Sequence, residues 1–286
     1  MPGSRHKLKH QPKHQAKNQH GFTLIELVTV IVILGVLATG ITSFLRFGTQ
    51  SYTDAADRDA LISTARFVVE RLNREVRNAL PNSIRTIGVN NQCIEFVPID
   101  KSVIYLDIPV APEASSNSVD VLILEDDLSL TTQYVAVYAL SSDDIYNKEP
   151  GVIEEFSSVA NSGDRQVKST ISFTSNIIFT EESPTERLYF IGSPVSYCVE
   201  NKAIYRYQTY GFGNYDSDGR PLSSTNTKKV LMAEYVNNYS SSSTLLPFQT
   251  SAATLQRNGL ALIRLKFTRN LEDIVFNNEI QVPNVP

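Results

Sequence analysis

The sequence predicts an α+β protein: a long N-terminal helical spine, half transmembrane and half amphipathic, packed on an antiparallel β-sheet body. Three observations lead there. Residues 22–45 are almost wholly apolar and long enough to cross a bilayer. Leu61, Ala65, Val68, Leu72, Val76 and Ala79 then recur at the three- and four-residue steps of an amphipathic helix. From Asn82 onward, short runs of β-branched and aromatic residues alternate with turns rich in Ser, Asn and Pro, which is the pattern of strands.

The apolar run holds 24 residues from Phe22 to Leu45 with one charge, Glu26. As a helix rising 1.5 Å per residue it measures roughly 36 Å, against about 30 Å of hydrocarbon. Arg5, Lys7, Lys9, Lys13 and Lys17 precede it with no acid among them, so the positive-inside bias places the leader in the cytoplasm and everything after Leu45 on the far side. A secretory signal has a shorter apolar region and a small-residue cut site, and this run is too long for one. A plain signal anchor explains everything except Glu26. A carboxylate within a membrane helix costs a few kcal/mol and calls for a partner. Cleavage after Gly21 would create one, because the new α-amino group of Phe22 is cationic and a neighbouring copy's Glu26 can meet it.

The stretch Gly21-Phe22-Thr23-Leu24-Ile25-Glu26 resembles the type IV prepilin cleavage motif. It has Gly before the cut, Phe after it and Glu at the fifth mature position; a basic leader, an uninterrupted apolar helix and Gly35 complete the likeness. The resemblance implies that a separate aspartyl prepilin peptidase cuts between Gly21 and Phe22 and methylates the Phe22 amine. Glu26 then pairs in assembly with the Phe22 amine of a neighbour. It further implies a single-pass inner-membrane precursor with a periplasmic body, later carried into a surface pilus. Its expected partners are prepilin peptidase, major and minor pilins reached through the N-terminal helix, the inner-membrane assembly platform, and membrane lipid before assembly. Major pilins often have proline at the twenty-second mature position, whereas Ser43 stands there in this chain. Expectations about a proline kink therefore do not transfer.

The resulting plan is a basic leader over 1–21, a membrane or filament-core helix over 22–45, an amphipathic helix over 46–80 and a β-rich extracytoplasmic body over 81–286. Pro81 should close the helix, making it run from Phe22 to Leu80. Arg58, Arg66, Arg71, Arg74 and Arg77 alternate with acids away from the apolar stripe and read as a solvated face. Strands are expected at Gln92–Val97, Val103–Ile108, Val119–Leu124, Tyr134–Ala139, Ser169–Phe173, Arg187–Ile191, Val195–Glu200, Ala203–Gln208, Val230–Val236 and Leu260–Phe267. Pro112–Ser118 and Asn237–Thr244 read as loops. Val195–Glu200 and Ala203–Gln208 should form a hairpin about Asn201-Lys202, with Tyr197 and Val199 on one side and Cys198 on the other.

Composition narrows the function. Five of the 26 basic residues lie in the leader, leaving 21 against 30 acids, a balance of −9 that argues against a nucleic-acid partner for the body. All four histidines (His6, His10, His14 and His20) lie in the leader too, so the remainder has no imidazole for a catalytic triad or zinc site. No enzyme activity, metal or other cofactor is expected. Cys93 and Cys198 are the two cysteines, and one long-range disulfide is their simplest reading in an oxidising compartment. Asp216-Ser217-Asp218-Gly219 opens like a calcium loop but lacks its distal Glu and reads as a turn. Asp126-Asp127 and Asp143-Asp144 likewise read as turn formers.

The segments around Cys93 and Cys198, with residues 67–81, resemble a minor-pilin component of the mannose-sensitive haemagglutinin (MSHA) pilus. That likeness implies a low-abundance subunit at or near the tip of a filament used in surface attachment. The alternatives are a J-type pseudopilin of a type II secretion system and an anchored extracytoplasmic binding protein or adhesin that never enters a filament. The basic leader alone would also fit contact with nucleic acid or anionic lipid.

Overall fold

A computed structural model describes residues 21–122, 132–161, 168–239, 245–252, 257–270 and 272–282. Its contacts divide the chain into two units, Met1–Ala55 and Ala56–Pro286. A single helix, α1 (Leu24–Arg77), contributes to both. It stops three residues short of the predicted Leu80: after Arg77 the chain turns, and the Leu80 N–H bonds the Val97 carbonyl at 2.8 Å instead of continuing the helix. Pro81 follows a helix that has already ended.

In the first unit every residue of α1 is exposed, including Leu24, Ile31, Leu37 and Phe44. The second unit treats the same helix oppositely. Leu61, Ala65, Val68, Leu72 and Val76 are buried, and Ala79 joins their cluster from just beyond the helix end.

The sheet that covers this stripe is antiparallel throughout. It consists of β1 (Arg85–Ile87), β2 (Cys93–Phe96) and, further along the chain, three more strands, with the barrel strands β3 to β8 intervening in sequence. Those six are β3 (Ile99–Asp107), β4 (Ser116–Leu122), β5 (Tyr134–Ala136), β6 (Ile153–Asn161), β7 (Lys168–Ile177) and β8 (Arg187–Ile191), closed in the order β3-β4-β7-β6-β5-β8. The chain then returns to the helix-covering sheet as β9 (Val195–Glu200), β10 (Ala203–Gln208) and β11 (Lys228–Glu234), giving the order β1-β2-β9-β10-β11. A third sheet, β12 (Phe248–Ser251), β13 (Gly259–Arg269) and β14 (Glu272–Val282), shares its core with the helix stripe through Phe248, Ile263, Leu265, Phe267 and Ile280. The barrel has its own filling, in which Tyr105, Val121, Phe173, Leu188 and Phe190 meet.

The expected hairpin is present. Asn201 and Lys202 both take positive φ (48° and 62°), the backbone of a tight turn whose twist matches its strands. Tyr197 and Val199 face the helix stripe while Cys198 faces the other way with Tyr207 and Tyr210.

Four strands differ from the sequence expectation by existing at all. β1 and β12 are too short for a periodic signal. β6 hides its strand character behind Glu154-Glu155 and Ser157-Ser158, and β14 behind Asn277-Asn278 and three acids. β4 begins at Ser116, inside the segment read as a loop, because Ser116 and Ser118 pair with Ile177 and Ser172 of β7. β5 stops at Ala136, where Val137 pairs outside the strand and Tyr138 takes a positive φ of 48°. A short helix, α2 (Ser142–Tyr146), replaces the turn expected at Asp143-Asp144: Ser141 caps it, and the Asp144 carboxylate accepts the Ser141 N–H at 2.9 Å in a capping box. Residues 123–124, Asp126-Asp127 and 240–244 lie outside the described residues, as does the leader up to His20.

Candidate functional site

Phe22 is 84% exposed and stands two residues before α1. Thr23 is the residue just before the helix, and its Oγ1 accepts the Glu26 N–H at 3.4 Å. Glu26 therefore sits in the first turn, where a carboxylate is favoured by the unpaired N–H groups and positive end of the helix. The sequence reading missed this local logic, although Thr23-Leu24-Ile25-Glu26 has the S/T-x-x-E spacing of a capping box. The Thr29 hydroxyl bonds back to the Glu26 carbonyl at 2.9 Å, and Thr39, Thr42 and Thr49 also satisfy their hydroxyls on carbonyls of the preceding turn. These threonine hydroxyls are thus satisfied inside the helix, which suits hydrocarbon surroundings. α1 is the one described helix apolar and long enough to cross a membrane.

Chemically, the arrangement offers three things at one helix end: a small residue, Gly21, around which a Cβ would meet nothing within 4 Å among the described residues; an exposed aromatic residue after it; and a carboxylate one turn on. An open backbone of this kind is one that a peptidase can enter. The carboxylate can receive a cation.

Residues 16–42 match the family model described as the prokaryotic N-terminal methylation motif. No curated protein and no solved structure matches the chain. Helix and motif together define a type IV pilin-like N-terminus, compatible with a single-pass membrane anchor. Such a motif implies N-terminal processing by a prepilin peptidase and assembly with other pilins.

The remaining singled-out residues lie in the second unit. Cys93 and Cys198 stand directly opposite each other on β2 and β9, with Cα atoms 4.1 Å apart, and are joined by a disulfide. Beside them lies a buried carboxylate that sequence reading did not find. Glu95 is fully buried and accepts Arg85 Nε at 2.7 Å, Tyr210 Oη at 2.7 Å and Tyr215 Oη at 2.9 Å. The Arg85 guanidinium also lies 3.5 Å from the centre of the Tyr146 ring. Burial first, and the Glu95 charge second, push the Tyr146 and Tyr210 phenols well above their ordinary value. Glu95 thereby fastens the loop carrying Tyr210 and Tyr215 to the disulfide-bearing sheet; the network's partners are all internal.

Asp216 and Asp218 enclose a cation already supplied by the chain. Arg220 bonds Asp216 Oδ2 at 2.9 Å and Asp218 Oδ2 at 3.1 Å. Burial would raise the Asp216 carboxyl, but the Arg220 backbone N–H and guanidinium overcome it and hold the group below its usual range. Gly219 supplies the positive φ of 74° that closes this turn. No cluster of metal-ligating side chains occurs among the described residues.

Proposed function

We propose that this chain is a minor pilin of the MSHA type, processed between Gly21 and Phe22 and built into a type IV pilus at or near its tip, where it supports surface attachment. The reading is carried by one observation: the methylation motif heads an apolar helix whose residues from Leu24 to Phe47 are all exposed. Uncovered apolar surface on this scale requires lipid or other helices. In the membrane, lipid supplies the cover; in a filament, neighbouring helices replace it. Glu26 has no place in lipid, and meeting the methylated, cationic Phe22 amine of an adjacent subunit removes its cost while fixing the axial stagger of the two helices. The leader would remain cytoplasmic and the body periplasmic until extrusion.

The closed barrel supports a terminal position. A subunit repeated along a shaft must fit neighbours on every side, and a barrel inserted between β2 and β9 adds bulk that a tip tolerates. The chain would act by assembly and contact, with no catalysis of its own.

Deleting the gene and imaging surface filaments tests this reading. Filament number or attachment should fall, the intact gene should restore it, and a Glu26→Ala copy should not. Antibody to the body should decorate filament ends. Unchanged filaments and attachment in the deletion strain would refute the assignment.

A further inference from the structure

β14 is a free edge of unusual length. Its eleven residues pair with β13 in unbroken register from Glu272↔Arg269 to Val282↔Gly259. Among the described residues nothing pairs with its other side. Every second residue of such a strand turns its N–H and C=O away from the existing ladder, so a row of unmet backbone groups faces outward. Of the usual protections it has acids at Glu272, Asp273 and Glu279, but no proline and no bulge.

Its inner face is unfinished as well. Ile280 and Val282 are buried, whereas Ile274 and Phe276 pack on the core but are only half-buried. One further strand alongside β14 would cover them.

We propose that this occupant is β14 of a second copy of the chain, laid antiparallel about a two-fold axis at Asn277. The sequence Glu272-Asp273-Ile274-Val275-Phe276-Asn277-Asn278-Glu279-Ile280-Gln281-Val282 is self-complementary in that register. On the inner face Ile274 meets Ile280 and Phe276 meets Asn278; on the outer face Asp273 meets Gln281, Val275 meets Glu279 and Asn277 meets itself. No acid lies opposite an acid. Asp273 is already drawn towards β13 by Lys266 at 2.7 Å and the Thr268 hydroxyl at 2.6 Å. The pairing gives the isologous interface expected of a two-fold dimer and joins two three-stranded sheets into one of six. It uses none of the residues of the N-terminal motif and stands apart from filament entry.

Site-specific oxidation of the full-length chain in detergent micelles tests the pairing. Among the described residues no cysteine is free, so an introduced thiol reports alone. Asn277→Cys places two thiols directly opposite, about 5 Å apart at Cβ, a little beyond the spacing of about 4 Å in a disulfide and closed by a small shift of the two edges. Gln281→Cys lies on the same exposed edge, but its two copies would be eight residues apart along the strands, about 27 Å. Mild oxidation should convert most of the Asn277→Cys chain to a covalent dimer and leave Gln281→Cys monomeric; mixing Asp273→Cys with Gln281→Cys should yield the mixed dimer. A monomeric Asn277→Cys chain, or equal dimer from Gln281→Cys, would overturn the proposal.

Discussion

Two stretches of one helix obey opposite rules. Between Leu24 and Phe47 apolar residues point in every direction and all are exposed; between Leu61 and Val76 burial is confined to one stripe, with Phe67 exposed outside it. The first pattern is specified by a medium that solvates every face, the second by a sheet that covers one. The same secondary structure is thus compatible with two solvents along its length. The sequence marks the change by replacing all-round Val, Ile and Leu with Arg, Asp and Glu away from the stripe.

The largest effect that would break this contrast comes from the proposed cut site. Gly21→Ala should abolish processing and leave the basic extension in place, visible as a heavier band in membrane fractions. If the substituted chain matures and assembles normally, the processing site lies elsewhere. Leu72→Ala attacks the other stretch: it removes a side chain with no exposure from the packed stripe and should destabilise the second unit by about 2–5 kcal/mol, read from the denaturation midpoint, while leaving processing intact. Glu26→Ala should do the converse, impairing assembly but shifting the same midpoint by less than about 0.5 kcal/mol. Equal stability losses from the two substitutions would erase the distinction between the stretches.

The disulfide sharpens the comparison, because the second unit is stabilised covalently as well as by burial. Its bond joins residues separated by 105 positions. Cys93→Ser with Cys198→Ser should cost about 2–5 kcal/mol, and reductant should lower the midpoint of the native chain in parallel while leaving the variant unmoved.

The smallest effect is alkaline. In the unfolded chain Tyr146 and Tyr210 ionise near pH 10, whereas in the folded chain burial and Glu95 keep their protons on to higher pH. Their contribution to stability is whole below about pH 10 and declines as pH rises through the gap between the two states. Between about pH 9 and 11.5 the denaturation midpoint should fall, and Tyr210→Phe should make that fall shallower. An equal slope in wild type and variant would remove Tyr210 from the account.

Legibility followed range. The apolar run and the stripe from Leu61 to Ala79 could be read because a helix repeats its signal every three or four residues. The hairpin about Asn201-Lys202 could be read because its turn is local. Closure of the barrel could not: β3 meets β8, and β4 meets β7, through register that only the folded chain displays. β14 was hidden because one of its faces is solvent-exposed, so Asp273, Asn277 and Glu279 interrupt what a fully buried strand would show as apolar. At the N-terminus the motif was plain, but Thr23 as a helix cap was overshadowed by hydropathy. Glu95 gave no signal at all, since its partners arrive from Arg85, Tyr210 and Tyr215, as many as 120 residues away.

The most direct test is mass spectrometry of the mature N-terminus, taken from protein isolated from membranes and sheared filaments. The account predicts a chain beginning at Phe22 with a methylated α-amino group. A chain still beginning at Met1 and stably resident in filaments would contradict it.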